Sequence, residues 1–265
     1  MRTLDLFISR LAEAGELPVG LVLTLPKVST LAQVQAMDFA VGRLEQLHSL
    51  SAGRLRFEVQ VETPQLILGA GGTSPVAQLP HAVPGRISGL HYGTYDYSAS
   101  LEIAAAYQSM EHPAADFAKA MMQFAAAGTG IRLSDGSTNV IPAGESIEDA
   151  WRLHARLVRR SLERGYYQGW DIHPAHLVTR FIANYAFYRG GFAAAALRLN
   201  NYVHGRASMI MDEPATARAL AGFVARALAC GAVDAGEVRE RTGIDSDALQ
   251  NLAFPKRASE NRRSS

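Results

Sequence analysis

The sequence has one cysteine, almost no net charge and no long apolar run. A lone Cys230 excludes an internal disulfide and a cysteine-rich zinc site, and it suits a reducing compartment. The 26 basic and 25 acidic side chains give a net charge of +1, which excludes nucleic-acid binding through bulk charge. No run approaches the roughly 18 apolar residues of a membrane helix, and the N-terminal segment lacks the apolar core of a signal peptide. We therefore expect a soluble cytoplasmic protein that binds neither nucleic acid nor membrane.

Five strand-like segments end in polar or glycine-rich residues. They are 20–28, 55–64, 86–98, 130–139 and 165–174. Their starts are about 30 to 45 residues apart, which is the length of one βα unit, and the stretches between them have helical periodicity. This alternation predicts an α/β fold with a parallel sheet, whose active site lies beyond the carboxyl ends of the strands.

The segment 55–64 has a polar face. Three polar residues alternate with three apolar ones: Glu58, Gln60 and Glu62 against Phe57, Val59 and Val61. In an open sheet covered by helices, burying these carboxylates would cost several kcal/mol each. In a closed barrel the polar face lines the interior, and Glu62 lies at the catalytic mouth. A buried salt bridge or an edge-strand surface is the alternative interpretation.

A second acid, Asp96, follows the next predicted strand. Gly93 precedes it and allows a ligand to approach the backbone closely, so we predict that Gly93 and Thr94 bind substrate. Two carboxylates at successive strand ends form an oxygen site that suits Mg²⁺ or Mn²⁺. An aspartate after a strand is also a common helix N-cap, which leaves a structural role for Asp96 open.

Together, these segment ends resemble motifs of the citrate lyase β-subunit and HpcH/HpaI aldolase families. The matching stretches are LPK at 25–27, VETP with Glu62, GTYDYS with Asp96, SDG with Asp135 and GWDIHP with His173. Five motifs in the same order, over about residues 20 to 180, make the resemblance specific, while YGTYDYS and the later helices indicate a separate branch. The resemblance implies a (β/α)₈ barrel, assembled as homo-trimers or hexamers. It also implies metal-dependent cleavage or formation of a carbon–carbon bond by aldol or Claisen chemistry.

Carried over residue by residue, the resemblance makes Glu62 and Asp96 the ligands of Mg²⁺ or Mn²⁺. A small oxo or hydroxy acid chelates such an ion through its oxygens, and the ion stabilises the enolate that develops as the bond breaks. No Schiff base is needed, so we do not expect Lys27 to be a nucleophile. Lys27 either orients a substrate carboxylate or forms an ion pair at the barrel rim.

Four further residues are weaker candidates. Asp135 and His173 match family residues near the site and are the predicted catalytic residues. The alternatives are that Asp135 forms an Asp-Gly turn and that His173 only stabilises the turn that follows it. Arg132 is a candidate for binding a substrate carboxylate or phosphate, or for pairing with segment 55–64. His91 precedes Asp96 by five residues, so we expect it on the opposite face, in the core.

The predicted barrel is incomplete. In the family, LPK follows about three βα units that supply an acidic strand and a substrate-binding arginine, whereas the residues before 20 leave room for one helix. We therefore predict a partial TIM-type barrel of about five C-terminal strands over 1–190, a helical extension over 191–254 and a disordered tail over 255–265.

Three functions agree with the sequence. The leading one is a metal-dependent carbon–carbon lyase or aldolase acting on a small oxo or hydroxy acid. A lyase of CoA thioesters, of the citrate lyase β or malyl-CoA lyase type, would need a basic surface for adenine and phosphate that the sequence does not reveal. The third is a non-catalytic relic or assembly subunit that keeps the two metal ligands.

Overall fold

The computed structural model describes residues 2–206 and 212–255. Five strands form one parallel sheet in the order β1-β2-β3-β4-β5. The strands are β1 Val22–Leu25, β2 Arg56–Val61, β3 Ile87–Tyr92, β4 Arg132–Asp135 and β5 Gln168–Gly169. Each predicted segment contains one of these strands, so the α/β class and the parallel sheet are confirmed.

One helix precedes the first strand, and the other helices connect consecutive strands or follow the last one. They are α1 Arg2–Glu13, α2 Leu31–Leu47, α3 Pro64–Ile67, α4 Pro75–Ala82, α5 Thr94–Ser100, α6 Pro113–Ala126, α7 Ile147–Glu163, α8 His176–Val203, α9 Pro214–Ala229, α10 Ala235–Thr242 and α11 Ser246–Ala253. Strands that neighbour each other in sequence also neighbour each other in the sheet, as in a (β/α) barrel. Over the described residues β1 and β5 do not pair, so the sheet is not a closed barrel. None of the described helices combines the length and apolarity needed to cross a bilayer.

The apolar face of the sheet forms a core with the helices that cover it. Phe57, Val59 and Val61 on β2 are fully buried and pack with residues of α2, α4 and α6. Helix α2 begins after Thr30, whose backbone N–H donates to the Gln33 side chain over 3.0 Å. That bond satisfies one of the N–H groups left open where a helix starts.

An ion-pair network holds α2 to the start of β2 and β3. Arg86 donates to both carboxylate oxygens of Glu45, over 2.6 and 2.9 Å, and to Asp38 over 2.6 Å. The buried Glu45 also accepts the backbone N–H of Leu55 at 2.8 Å. This clamp lies at the amino ends of the strands, opposite to the predicted site.

The third predicted strand, 86–98, is too long. The strand ends at Tyr92, and Asp96 lies in the first turn of α5. Gly93 takes part in the hydrogen bonding of both the sheet and the helix. Its N–H donates to the Val61 carbonyl of β2 at 3.0 Å, while its own carbonyl accepts the Tyr97 N–H of α5 at 3.2 Å. The chain therefore leaves the sheet at Gly93, and side chains after it no longer alternate between two faces.

The described part of the chain forms two compact units. The first contains the residues up to Ala143 and Glu163–Pro174, and so carries the sheet; the second contains Gly144–Leu162 and the residues from Ala175 onward. The predicted boundary at 190/191 falls inside α8, which is continuous. Except for Pro255, the predicted tail lies outside the described residues.

The second unit is a helical assembly with its own core. Its buried side chains include Phe192 and Leu199 of α8, Val224 of α9 and Leu249 of α11. Helix α7 belongs to this unit, where Val158 and Leu162 cluster with Ala183 of α8. These apolar contacts explain why α7, which was predicted to belong to the barrel domain, clusters with the C-terminal helices.

Candidate active site

Two side chains of β2 and the one that follows the strand point away from the apolar core. Glu58 and Gln60 are partly exposed, and Glu62, just past the strand end, is 3% exposed. The register pairs Gln60 with His91 and Val61 with Tyr92. We call the side of the sheet that carries Glu58, Gln60 and Glu62 the polar face.

Lys27 joins Glu62 and Asp96 at the carboxyl ends of the strands. Its backbone N–H donates to Glu62 Oε1 over 2.6 Å, and its Nζ lies 2.8 Å from Asp96 Oδ1. Lys27 has a φ of 52°, in the left-handed region that costs a non-glycine residue about 1–3 kcal/mol. The structure thus brings the two predicted metal ligands together and gives Lys27 the ion pair that was one of its two predicted roles.

The two acids, hereafter the carboxyl pair, differ in their ionisation. Burial raises the pKa of Glu62, and the adjacent Asp96 raises it further. The hydrogen bond from the Lys27 backbone N–H lowers this pKa, but it does not outweigh the other two effects. The hydrogen bond from the Lys27 ammonium group lowers the pKa of Asp96 and raises the pKa of Lys27. Neighbouring carboxyl groups of this kind attract a cation, and two hard oxygen donors fit Mg²⁺ or Mn²⁺. The Lys27 side chain is 66% exposed, so it can move to admit an ion.

Gly93 provides the space for Glu62. A Cβ at Gly93 would lie 2.5 Å from Glu62 Cβ and 3.0 Å from Glu62 Oε2, so the glutamate crosses β3 only because no side chain is there. Thr94 follows it and is buried; a Cβ at Gly136 would lie 2.1 Å from its Oγ1. Gly93 therefore lies against Glu62, whereas Thr94 lies against Gly136.

Asp135 lies on the other face of the sheet. The register of β3 and β4 pairs His91 with Ser134, which places Asp135 across from Tyr92 on the helix-covered side. Its carboxylate is buried, lies 3.1 Å from Lys119 Nζ and accepts the Gly136 N–H over 2.8 Å. The structure therefore places Asp135 in a buried ion pair and away from the carboxyl pair, and residues 136–140 after it do not form the Asp-Gly turn that was the alternative interpretation.

Arg132 and His173 occupy less constrained positions. Arg132 pairs in register with Gly89 on the polar face, is exposed, and makes no ion pair with any residue that the structure describes. Arg132 therefore does not form the alternative pairing with segment 55–64 among the described residues. His173 lies in a turn after β5 and is partly exposed.

The sequence did not reveal a contact between Glu58 and His91. Nε2 of His91 contacts Glu58 Oε2, and its ring lies 5.0 Å from that of Trp170. His91 is buried as expected, but on the polar face. Counting five residues back from Asp96 failed because Asp96 lies in a helix; counting two back from Gly93, which faces Glu62, gives the correct face.

Comparisons with known proteins agree with the fold. The model of a domain of unknown function, DUF6986, matches residues 1–257. No curated protein matches the sequence. The structure of a citrate lyase from Burkholderia xenovorans LB400 aligns with a TM-score of 0.65 and 21% identity, over 86% of this chain and 69% of that one. This likeness shows a shared fold.

Two other solved structures are more distant. RipC from Yersinia pestis aligns with a TM-score of 0.47 and 23% identity, over 66% of this chain and 68% of that one. A malate synthase from Haloferax volcanii aligns with a TM-score of 0.49 and 15% identity, over 87% of this chain and 66% of that one. The chain thus spans about two thirds of the length of each of these three structures.

Proposed function

We propose an activity for this chain on the premise that it belongs to the DUF6986 family. It is a divalent-metal-dependent carbon–carbon lyase or aldolase that acts on a small oxo or hydroxy acid. The observation that carries this proposal is the convergence of Glu62 and Asp96 on Lys27 at the carboxyl ends of the strands. The fold shared with a citrate lyase supports a partial TIM-type barrel as its scaffold.

Glu62 and Asp96 would hold Mg²⁺ or Mn²⁺. A divalent cation bound there supplies a Lewis acid that polarises the carbonyl oxygen of the substrate. The exposed Lys27 ammonium group carries a positive charge at the same edge of the sheet, where it would bind a substrate carboxylate. Gly93 and Thr94 would form the adjoining wall.

The other predicted residues keep different roles in this proposal. Arg132 would bind a substrate anion, because it is exposed on the polar face and has no ion pair among the described residues. His173 would contact substrate from the turn after β5. Asp135 would have a structural role instead of a catalytic one, because its carboxylate lies on the opposite face and pairs with the buried Lys119.

Calorimetric titration with MgCl₂ and MnCl₂ tests the ion site. We expect one ion per chain, and we expect Glu62→Gln and Asp96→Asn each to lose more than the roughly 10- to 100-fold in affinity that removal of an outer partner costs. Glu13→Gln and Asp149→Asn are the matched controls, because both carboxylates form exposed ion pairs on helices. Wild-type affinity in both site variants would refute the proposed ligands.

A substrate panel then tests the reaction. The protein is incubated with 2-oxo acids plus aldehydes, and separately with acyl-CoAs, in the presence of Mg²⁺ or of EDTA. Turnover of the free acids that EDTA abolishes supports the proposal, and turnover confined to acyl-CoAs supports the thioester alternative. Ion binding without turnover of any compound would favour the non-catalytic subunit.

A further inference from the structure

We infer that Glu58 and His91 form the acid–base dyad of this site, with His91 Nδ1 as the atom that exchanges a proton with the substrate. The inference rests on the proposed function and adds the group that moves the proton. It is carried by the contact between the two side chains, by the state of the second imidazole nitrogen and by their place on the polar face.

Glu58 reaches His91 across a second glycine of β3. A Cβ at Gly89 would lie 2.8 Å from Glu58 Oε1 and 3.2 Å from its Cδ, so the glutamate lies flat over Gly89. From there its Oε2 contacts His91 Nε2. Because a carboxylate only accepts hydrogen bonds, Nε2 carries the proton, and Nδ1 is left with a free lone pair.

The second nitrogen of His91 has no hydrogen-bond partner. The His91 side chain is 9% exposed, and its Nδ1 is buried and unpaired among the described residues. An unpaired buried polar atom costs about 1–3 kcal/mol, and a histidine with only a structural role would be expected to pair both nitrogens. A free acceptor on an imidazole that a carboxylate orients is the arrangement of a general base.

The dyad and the carboxyl pair share one face of the sheet. Gly89, His91 and Gly93 occupy alternate positions along β3 and the residue that follows it, with Glu58 over the first glycine and Glu62 over the last. Residues two apart on a strand lie on the same face, about 7 Å from each other. Carboxyl pair and imidazole are therefore separated by about the length of a four- or five-carbon acid.

The step that we assign to His91 is a proton transfer within aldol cleavage of a 4-hydroxy-2-oxo acid. Nδ1 takes the proton of the C4 hydroxyl, the C3–C4 bond breaks, and C4 leaves as an aldehyde while the bonding electron pair passes to C3. The imidazolium then returns the proton to C3, which gives the shorter 2-oxo acid. Glu58 stays ionised and stabilises the imidazolium, so atoms and charge balance without an oxidant or a co-reactant.

Exchange of the methyl protons of pyruvate in D₂O, with Mg²⁺ present, tests this step by NMR. We expect His91→Asn to slow the exchange by about 10²- to 10⁴-fold, the usual contribution of a general base, while Mg²⁺ affinity stays within about twofold of wild type. His48→Asn is the matched control, because His48 bonds Ser9 in the same unit. Unchanged exchange in His91→Asn refutes the dyad alone, whereas a wild type that neither binds Mg²⁺ nor exchanges pyruvate refutes the proposed function.

Glu58 is a positioning residue, and the imidazole tautomer reports on it. Nitrogen-15 NMR of the protein without ligand should show His91 protonated at Nε2. In Glu58→Gln the side-chain amide can donate to Nε2, so we expect the proton to move to Nδ1 and the exchange to slow. If His91→Asn fails to fold, the His91 nitrogen resonance is identified as the one that Glu58→Gln changes. We expect this resonance to shift in the wild-type protein when pyruvate and Mg²⁺ are added. A resonance that does not shift would overturn the inference.

Discussion

Two glycines, one within β3 and one directly after it, determine which glutamate side chains can lie over that strand. Glu62 lies over Gly93 and Glu58 over Gly89, with His91 between them. The two glycines differ in what a methyl group would meet. At Gly93 it meets the Cβ of Glu62, which is fixed to the backbone, and at Gly89 it meets the mobile end of Glu58.

Alanine at these two glycines should therefore have separable effects. Gly93→Ala should cost about 1–3 kcal/mol of unfolding free energy through overpacking and should abolish Mg²⁺ binding. Gly89→Ala should leave stability and Mg²⁺ affinity nearly unchanged and slow pyruvate exchange as Glu58→Gln does. Thermal unfolding and calorimetry measure both, with Gly20→Ala as control because no atom lies within 4 Å of its added Cβ. Loss of Mg²⁺ binding in Gly89→Ala alone would contradict this picture.

Lys27 should not form a covalent adduct with a 2-oxo acid. Its hydrogen bond to Asp96 raises the pKa of the ammonium group, so the amine stays protonated near neutral pH and is a poor nucleophile. We expect no mass increase on Lys27 after incubation with pyruvate and borohydride, as measured by mass spectrometry of the digested protein. A trapped adduct at Lys27 would contradict the proposed metal-dependent mechanism and support one that proceeds through an imine.

Among the larger elements, α2 is tied to the sheet by charge as well as by apolar packing. Burial opposes ionisation of Glu45, but Arg86 and the N–H groups of Leu55 and Gly53 outweigh it and hold the pKa of this carboxyl below its ordinary value of 4.5. An acid whose pKa is lower in the folded state adds stability above its unfolded pKa. That stability is lost as the pH falls through the folded pKa.

Glu45→Gln should consequently be destabilising in a pH-dependent way. Removing one partner of a buried pair costs about 3 kcal/mol or more, so we expect a clear drop in melting temperature at pH 7. The difference from wild type should shrink as the pH falls below 4.5 and vanish once Glu45 is protonated in the folded protein. Melting curves from pH 3 to pH 7 check this, with Glu13→Gln as an exposed control. A constant difference across that range would show that charge is not the cause.

At the scale of the whole molecule, the sheet unit carries every proposed site residue. Glu58, Glu62, His91 and Asp96 all belong to it, as does Lys27. The helical unit has a separate core and contributes none of these groups. We therefore expect variants in the helical core to alter stability before they alter ion affinity.

We also propose that the chain forms a homo-oligomer. The resemblance to families of trimers and hexamers predicts it, and large apolar side chains remain exposed on helices, among them Phe39, Phe124 and Phe181. Light scattering after gel filtration should give three or six times the chain mass of 28.6 kDa. A mass equal to one chain over a tenfold dilution series would contradict this expectation.

Local patterns in the sequence are enough to predict the five strands, their parallel arrangement and the polar face of β2. Alternation along a strand and the spacing of βα units are local properties, so they can be recognised in the amino-acid sequence. The meeting of Glu62 and Asp96 could also be predicted, because the carboxyl ends of neighbouring parallel strands lie at one edge.

The face that each remaining residue occupies depends on contacts between strands, which the local sequence does not specify. A shift of one residue in a strand end or in register moves a side chain to the other side of the sheet. Because β3 ends at Tyr92, His91 lies on the same face as Glu58. Because of the register of β4, Asp135 lies on the opposite face, beside Lys119. The partnership of α7 with the C-terminal helices likewise depends on contacts between segments distant in sequence, which no local pattern encodes.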